Sequence, residues 1–238
     1  MRACICLPTY DEAENLERML HALAELVGPD DVVLVIDDNS PDGTGDIADQ
    51  LAADDDHVHV LHRERKEGLG PAYLAGFRRA LELDADLIFE MDCDFSHDPA
   101  DVPRLAAATA NADLVLGSRY VQGGGTRNWG FVRRFISRGG SLYAQVLLQL
   151  GVRDLTGGFK CYRREVLETI DLDGISSLGY AFQIETTYRT LRAGFRVVEV
   201  PITFSDREVG GSKMSRGIVL EAIWRVPVLR TRALFRRL

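Results

Sequence analysis

The first half of the chain alternates between short apolar runs and amphipathic stretches, and this alternation constrains the fold more than any other feature. Apolar runs typical of buried strands occupy residues 3–7, 32–36, 58–62, 87–91 and 114–117. Stretches with helical spacing of apolar residues occupy 14–26, 46–53, 71–83 and 102–110. Successive strand and helix units favour parallel strands with covering helices. We therefore predict an α/β fold with an open, mostly parallel sheet and helices on both faces.

Composition limits the class of protein. The chain has 238 residues, of which 46% are hydrophobic and 27% charged, enough for one sizeable core. No apolar run approaches the ~18 residues of a membrane-spanning helix. The four cysteines have neither metal-type spacing nor a disulfide pattern, so we expect a reducing, cytoplasmic setting.

Polar loops follow three of the predicted strands, at residues 8–12, 37–44 and 92–94. Ligands of open parallel sheets bind beyond the carboxyl ends of the strands, so these loops should meet in one crevice. The glycine-rich turn of a dinucleotide-binding fold is missing after the first strand, and no P-loop is present. A helix-capping role for Asp11 and Asp42 is an alternative reading of part of this pattern.

The sequence Asp92-Cys93-Asp94 brings two carboxylates to a loop directly after an apolar run. Mg²⁺ and Mn²⁺ prefer hard oxygen ligands and are commonly held by one or two carboxylates plus substrate phosphates. We predict a metal site at Asp92 and Asp94, with the Ser96 hydroxyl as a third ligand, facing a diphosphate. The alternative is an acidic loop that merely ends a strand at the surface.

Positive charge is concentrated in two places. Residues 114–153 contain six arginines and no Asp or Glu, which indicates an anionic ligand or neighbour. If this region is helical, Arg133 and Ser137 share one face. Arginines that bond carbonyls or acids elsewhere in the fold are the competing explanation. We expect no nucleic-acid partner.

The C-terminal residues 215–238 carry six arginines and one glutamate among apolar residues. We predict a catalytic domain at 1–214 and a basic, amphipathic helical tail at 215–238 that lies on an anionic membrane surface. Packing of the tail on its own domain is the alternative.

Six ordered blocks carry a family resemblance. They are 7–12 (LPTYDE), 35–44 (VIDDNSPDGT), 92–94 (DCD), 116–120 (LGSRY), 154–159 (DLTGGF) and 204–213 (FSDREVGGSK). Together they resemble the dolichol-phosphate mannosyltransferase branch of the inverting family 2 glycosyltransferases, which have a GT-A fold.

The resemblance implies transfer of mannose from GDP-mannose to a polyprenyl or dolichyl monophosphate, with Mg²⁺ or Mn²⁺ as cofactor. By resemblance, the nucleotide-sugar contacts are Pro8, Tyr10, Glu12, Val35, Asp37, Asp92, Cys93, Asp94, Arg207 and Lys213. Resemblance also places the acceptor phosphate against Arg119, Arg133 and Ser137, and the arginine-rich window adds Arg134 to these acceptor-phosphate contacts. The catalytic residues are Asp94, Arg119, Arg207 and Lys213. Many relatives carry Gln where this chain has Ser96.

Two other functions fit the same motifs. One is the same fold using UDP-glucose to make polyprenyl-phosphate glucose, because no residue reads guanine unambiguously. The other is a non-catalytic subunit that binds a nucleotide sugar. Some relatives are anchored by small membrane partners, so we expect a peripheral protein at the cytoplasmic face of a membrane, with such an anchor subunit as a further partner.

Overall fold

The computed structural model describes residues 1–206 and 216–235. Arg207 and Lys213 lie outside these residues, so their roles stay predictions. The strands are β1 (Ala3–Thr9), β2 (Val32–Asp37), β3 (Val58–His62), β4 (Leu87–Glu90), β5 (Leu114–Ser118), β6 (Gly125–Arg127), β7 (Lys160–Arg163), β8 (Val197–Pro201) and β9 (Thr203–Ser205). The helices are α1 (Ala13–Ala24), α2 (Thr44–Asp54), α3 (Leu69–Glu82), α4 (Val102–Ala108), α5 (Phe131–Leu148), α6 (Arg164–Thr169), α7 (Tyr180–Arg192) and α8 (Arg216–Leu234).

Seven strands form one sheet in the order β3-β2-β1-β4-β7-β5-β8. β7 pairs antiparallel with both of its neighbours, and the other pairs in this sheet are parallel. β6 and β9 form a separate parallel pair. The prediction of an open, mostly parallel α/β sheet is therefore confirmed.

The sheet separates two apolar cores. Alternate residues of a strand point to opposite faces, so Cys4 and Cys6 of β1 enter one core while Ile5 and Leu7 enter the other. The first core is covered by α3 and by α5 to α8, and the second by α1, α2 and α4. All four cysteines are buried free thiols.

Helix α8 packs on the domain that precedes it. Its Val226 and Leu229 are buried in the same core as Ala144 and Leu148 of α5. The Glu221 carboxylate accepts a hydrogen bond from the backbone N–H of Leu178, at 2.9 Å. Packing on the domain was the alternative to membrane contact, while the predicted boundary at 214/215 lies outside the described residues. Within 1–206 and 216–235, no helix has the length and apolarity needed to cross a bilayer.

A buried polar network joins β4, β7 and α7 beneath the loop that carries Asp92. Glu90 and Lys160 face each other across the β4–β7 pair, and both are fully buried. The Lys160 Nζ donates to Gln183 O and Thr186 Oγ1, each at 2.9 Å, and the Tyr162 hydroxyl donates to Glu90 at 2.6 Å. Burial lowers the pKa of Lys160 to about 8 and raises the pKa of Glu90. The network fixes the end of β4 to its neighbours.

Lys160→Met tests this network. We expect the free energy of unfolding at neutral pH to fall by about 3 kcal/mol, because the substitution leaves Glu90 without its buried counter-charge. The double variant Glu90→Gln/Lys160→Met removes both charges and should recover most of that loss. Urea unfolding of the three proteins measures both effects. An equal loss in the single and double variants would contradict the pairing of these two charges.

Candidate active site

A cavity of about 410 Å³ lies at the carboxyl edge of the sheet. It collects loops that follow β1, β2, β4 and β5, together with the start of α5 and the segment before α7. Its polar lining includes both acids and arginines, namely Glu12, Asp38, Asp92, Asp94, Arg119 and Arg133. The crevice predicted from the three polar loops is therefore present. An anionic ligand in it would lie near cations as well as near metal-type ligands.

The loop after β4 is tightly constrained. Phe95 has a left-handed backbone with φ of 59°, which makes a sharp turn between Asp94 and Ser96. The Asp94 Oδ1 accepts the backbone N–H of Ser96 at 3.0 Å, and both residues are buried. His97 Nδ1 accepts the backbone N–H of Asp92 at 3.2 Å. The loop thus presents Asp92 and Asp94 to the same cavity.

His97 holds this loop as a neutral ring. The pKa of His97 is lowered to about 4, chiefly by burial; the Asp94 carboxylate opposes this shift, and the Arg119 guanidinium contributes to it. The ring stacks on Phe159, with centroids 5.0 Å apart. Because Nδ1 accepts a hydrogen bond, the ring proton of the neutral form lies on Nε2. His97 therefore supports residues 92–96, the predicted metal loop.

The loop suits a hard divalent cation. Asp92, Asp94 and Ser96 all line the cavity and offer oxygen atoms. In the described part of the chain, no three His, Cys, Asp or Glu side chains cluster as a complete ligand set. A cation here would take its remaining ligands from water and from a bound diphosphate, as Mg²⁺ commonly does.

The predicted nucleotide contacts divide into two groups. Pro8, Tyr10, Glu12 and Cys93 line the cavity together with the metal loop. Val35 does not line the cavity, because it is buried within β2, and β2 is paired with β1 on one side and with β3 on the other. Its nucleotide contact stays a prediction.

Asp37 is also outside the cavity, and its neighbour Asp38 takes its place. The Asp37 carboxylate is buried and accepts the Ser40 hydroxyl at 2.5 Å, so it holds the turn after β2. Asp38 follows the end of the strand, points the other way and lines the cavity. It forms an ion pair with Arg63, and burial raises its pKa despite that pairing. Strand alternation was the signal that distinguished the two acids.

Arg119 is buried in the cavity wall and held by Asp154. Its Nε and Nη2 donate to the two carboxylate oxygens of Asp154 at 2.7 and 2.6 Å, and Nη2 also donates to Thr156. Burial alone would lower the pKa of Arg119, but the Asp154 carboxylate outweighs it and raises the pKa. The guanidinium therefore remains charged in a fixed orientation. Its described hydrogen bonds do not use Nη1.

The other predicted acceptor contacts lie on α5. Arg133 lines the cavity, donates to Asp206 at 2.5 Å and stacks over Trp129, with its Cζ 4.4 Å from the ring centroid. Ser137, one turn later, is buried behind the wall and accepts the Tyr120 hydroxyl at 2.8 Å. Arg134 is exposed outside the cavity, since one residue along a helix turns the side chain by about 100°.

Several lining residues were not among the predicted contacts. Trp129, Tyr180 and Phe204 supply aromatic walls, and Lys66 lies 3.6 Å from the ring centroid of Tyr10. Gln183 also lines the cavity. Its side-chain amide lies close enough to Glu90 to lower the pKa of that carboxyl. Neither amide atom has the geometry of a hydrogen bond to a described residue. These residues come from distant segments; Phe204 opens the sixth of the family blocks, and no local motif marks the others.

Comparison with known proteins defines the class. The family model described as glycosyl transferase family 2 matches residues 4–171. The chain is 54% identical over 223 residues to the undecaprenyl-phosphate mannosyltransferase of Micrococcus luteus, covering 94% of this chain and 91% of that protein. It is 50% identical over 231 residues to the polyprenol monophosphomannose synthase of Mycolicibacterium smegmatis, covering 94% and 85%. The chain belongs to glycosyl transferase family 2.

Solved structures agree on the architecture. Glucosyl-3-phosphoglycerate synthase from Mycobacterium tuberculosis, in complex with Mn²⁺ and UDP-glucose, has a TM-score of 0.70 at 21% identity, covering 97% of this chain and 78% of that chain. The same enzyme in complex with UDP has a TM-score of 0.69 at 18% identity, covering 97% and 80%. At such identity the likeness shows the fold alone, and it confirms the predicted GT-A-type architecture.

Asp154→Asn tests how Arg119 is held. We expect a loss of about 3 kcal/mol in the free energy of unfolding, because the change leaves a buried guanidinium without its counter-charge. Asp173→Asn breaks an exposed ion pair with Arg78 and should cost less than about 1 kcal/mol. Chemical denaturation of both variants makes the comparison. Similar losses for the two would argue against a structural role of the buried pair.

Proposed function

We propose that this protein transfers mannose from GDP-mannose to a polyprenyl or dolichyl monophosphate and forms a β-linked lipid-phosphate mannose. The observation that carries the proposal is that Asp92 and Asp94 share one cavity with Arg119 and Arg133. A metal-bound diphosphate and a second phosphate can therefore be held near each other. The two relatives, named for mannose transfer or for polyprenol monophosphomannose synthesis, support the sugar and the acceptor class.

On the donor side, Asp92, Asp94 and Ser96 would hold Mg²⁺ or Mn²⁺ against the diphosphate of GDP-mannose. Bound there, the cation supplies Lewis-acid stabilisation of the negative charge that develops on departing GDP. Tyr10 and Glu12, at the end of β1, would contact the nucleoside. Arg207 and Lys213 are proposed to grip the same diphosphate by family resemblance, and they lie outside the described residues.

On the acceptor side, the phosphate monoester already carries an ionised oxygen near neutral pH, so a strong general base is unnecessary. Arg119 and Arg133 would orient that oxygen for backside attack on the anomeric carbon, which inverts its configuration. The ion pair with Asp154 fixes Arg119 before the ligand arrives. A guanidinium held in this way can stabilise negative charge without having to reorient during the reaction.

The aromatic residues would protect the reaction from water. Trp129, Tyr180 and Phe204 line the cavity beside the two arginines. Apolar walls exclude competing water and strengthen the electrostatic interactions within the site. They also suit the first isoprenoid carbons of the acceptor.

The other two functions have less support. UDP-glucose as donor is not favoured, because both relatives are named for mannose. A non-catalytic subunit would have no need for the acids of the metal loop and the buried Arg119–Asp154 pair in one cavity. We propose peripheral association with the cytoplasmic face of a membrane as the setting, with a small anchor subunit as a partner.

Asp94→Asn tests the donor side. With radiolabelled GDP-mannose, a short polyprenyl phosphate and Mn²⁺ or Mg²⁺, we expect turnover to fall on the order of a hundredfold, because one charged ligand of the diphosphate-bound cation is lost. Chelation by EDTA should abolish wild-type turnover, and added cation should restore it. Asp98→Asn is the matched control, since Asp98 is exposed and caps the next turn in the same loop. Wild-type turnover in Asp94→Asn, or product from UDP-glucose alone, would overturn the assignment.

Arg133→Ala tests the acceptor side in the same assay. We expect the KM for the polyprenyl phosphate to rise by about tenfold or more while the KM for GDP-mannose stays the same, because a charge-assisted contact to phosphate is removed. Arg134→Ala tests the predicted acceptor contact of Arg134. If Arg134 contacts the phosphate, the KM for the polyprenyl phosphate should rise. Because Arg134 lies outside the cavity, we expect a wild-type KM instead. If Arg133→Ala raises only the KM for GDP-mannose, Arg133 contacts the sugar donor, and its assignment to the acceptor phosphate is wrong.

A further inference from the structure

Helix α5 exposes an apolar stripe to solvent. Phe131, Phe135, Leu142 and Val146 are 80%, 71%, 58% and 70% exposed. Their spacing of four, seven and four residues, at 3.6 residues per turn, puts all four within an arc of about 60°. Monomeric soluble proteins rarely expose contiguous rows of large apolar side chains, and such rows mark interaction sites.

The opposite face of the same helix belongs to the candidate active site and the core. Arg133 lines the cavity, and Ser137 and Ser141 are buried beside Thr156, another lining residue. Further along, Leu148 enters the apolar core. The stripe is therefore one helix diameter, about 10 Å, from the side chains that are proposed to hold the acceptor phosphate.

Charge around the stripe favours an anionic occupant. Arg134 and Arg138 are both exposed and flank the stripe on one side. No Asp or Glu occurs anywhere in residues 114–153. Arginines on the polar flank of an amphipathic helix, with Phe and Leu on its apolar face, are typical of helices that lie in the interface of an anionic bilayer.

Helix α8 adds to this surface. The Tyr143 hydroxyl of α5 donates to the carbonyl of Ile223 at 2.9 Å, so the two helices lie side by side. Ile223 and Trp224 of α8 are exposed. Tryptophan is enriched at membrane–water interfaces, where its ring meets both apolar and polar groups.

We propose that the outer stripe of α5 docks into the interfacial layer of a bilayer that contains anionic phospholipid. The helix then has two roles: one face contacts the membrane, and the opposite face lines the site for a lipid phosphate. This inference deepens the proposed function and rests on it for the second role. It assigns the first contact with the membrane to α5, whereas the sequence alone had indicated the C-terminal tail.

Vesicle co-sedimentation of the full-length protein tests the docking. We expect the wild type to bind phosphatidylcholine vesicles that contain phosphatidylglycerol more tightly than pure phosphatidylcholine vesicles. Phe131→Ser/Phe135→Ser should weaken partitioning by about tenfold or more, since the variant lacks two rings that enter the bilayer in the wild type. Ile136→Ser is the matched control, because Ile136 is less exposed on the same helix and lies about 110° from the middle of the stripe. Its partitioning should equal that of the wild type.

Charge reversal separates the arginines from the apolar contact. Arg134→Glu/Arg138→Glu should abolish the preference for phosphatidylglycerol, whereas Arg65→Glu, an exposed site near α3, should preserve it. Docking by α5 is overturned if the wild type does not bind vesicles or if the phenylalanine variant binds like the wild type. It is also overturned if light scattering shows that the stripe instead joins two copies of the chain and vesicles do not compete.

Enzyme assays distinguish failure of the docking from failure of the proposed function. With a short, water-soluble polyprenyl phosphate and no vesicles, Phe131→Ser/Phe135→Ser should turn over like the wild type. With a long-chain acceptor in anionic vesicles, its KM should rise by about tenfold. A wild type that makes no product in either assay refutes the proposed function, and vesicle partitioning still decides the docking. Equal KM values for the variant and the wild type in vesicles refute the coupling between membrane contact and acceptor delivery.

Discussion

The buried ion pair between Arg119 and Asp154 is the interaction on which the rest of the site depends. It connects the end of β5 to the segment before β7, and the backbone N–H of Arg119 also donates to Asp154 at 2.9 Å. Glu199 of β8 extends the connection by accepting the Ser118 hydroxyl and the backbone N–H of Asp154. Two charges removed from water gain stability only when their geometry is excellent. The geometry that satisfies this requirement also holds a permanent cation in the cavity wall.

The antiparallel strand β7 lets Arg119 share a cavity with Asp92 and Asp94, the acids in the loop after β4. β7 lies between β4 and β5, and on its β4 side Lys160 faces Glu90. The polar network around these two side chains supports the strand end that leads to Asp92. Asp92 and Asp94 therefore follow one strand of the sheet and Arg119 follows another, and a single strand separates the two. This arrangement suits a reaction in which the protein mainly aligns two charged substrates, because misalignment by an ångström is costly in such reactions.

The sequence predicted most of what depends on local pattern. The β3 bounds at Val58–His62 were predicted residue for residue, and the loop with Asp92 and Asp94 lies where the apolar run before it indicated. What it failed to predict depends on contacts between distant residues. β7 contains Lys and Arg and does not read as a buried strand, and Asp154 is 35 residues from its partner Arg119. Asp37 was assigned by family resemblance and Arg134 from the arginine-rich window; the structure places both outside the cavity lining, and their roles stay predictions.

A crystal structure of the ternary complex tests the central claim most directly, with Mn²⁺, GDP and a short polyprenyl phosphate bound to the full chain. The account predicts an anomalous Mn²⁺ peak within coordination distance of the carboxylates of Asp92 and Asp94, with GDP phosphate oxygens completing the ligand set. It also predicts that the acceptor phosphate accepts hydrogen bonds from Arg119 and Arg133 in the same cavity. Mn²⁺ bound away from both carboxylates, or an acceptor phosphate that touches neither arginine, would contradict the account.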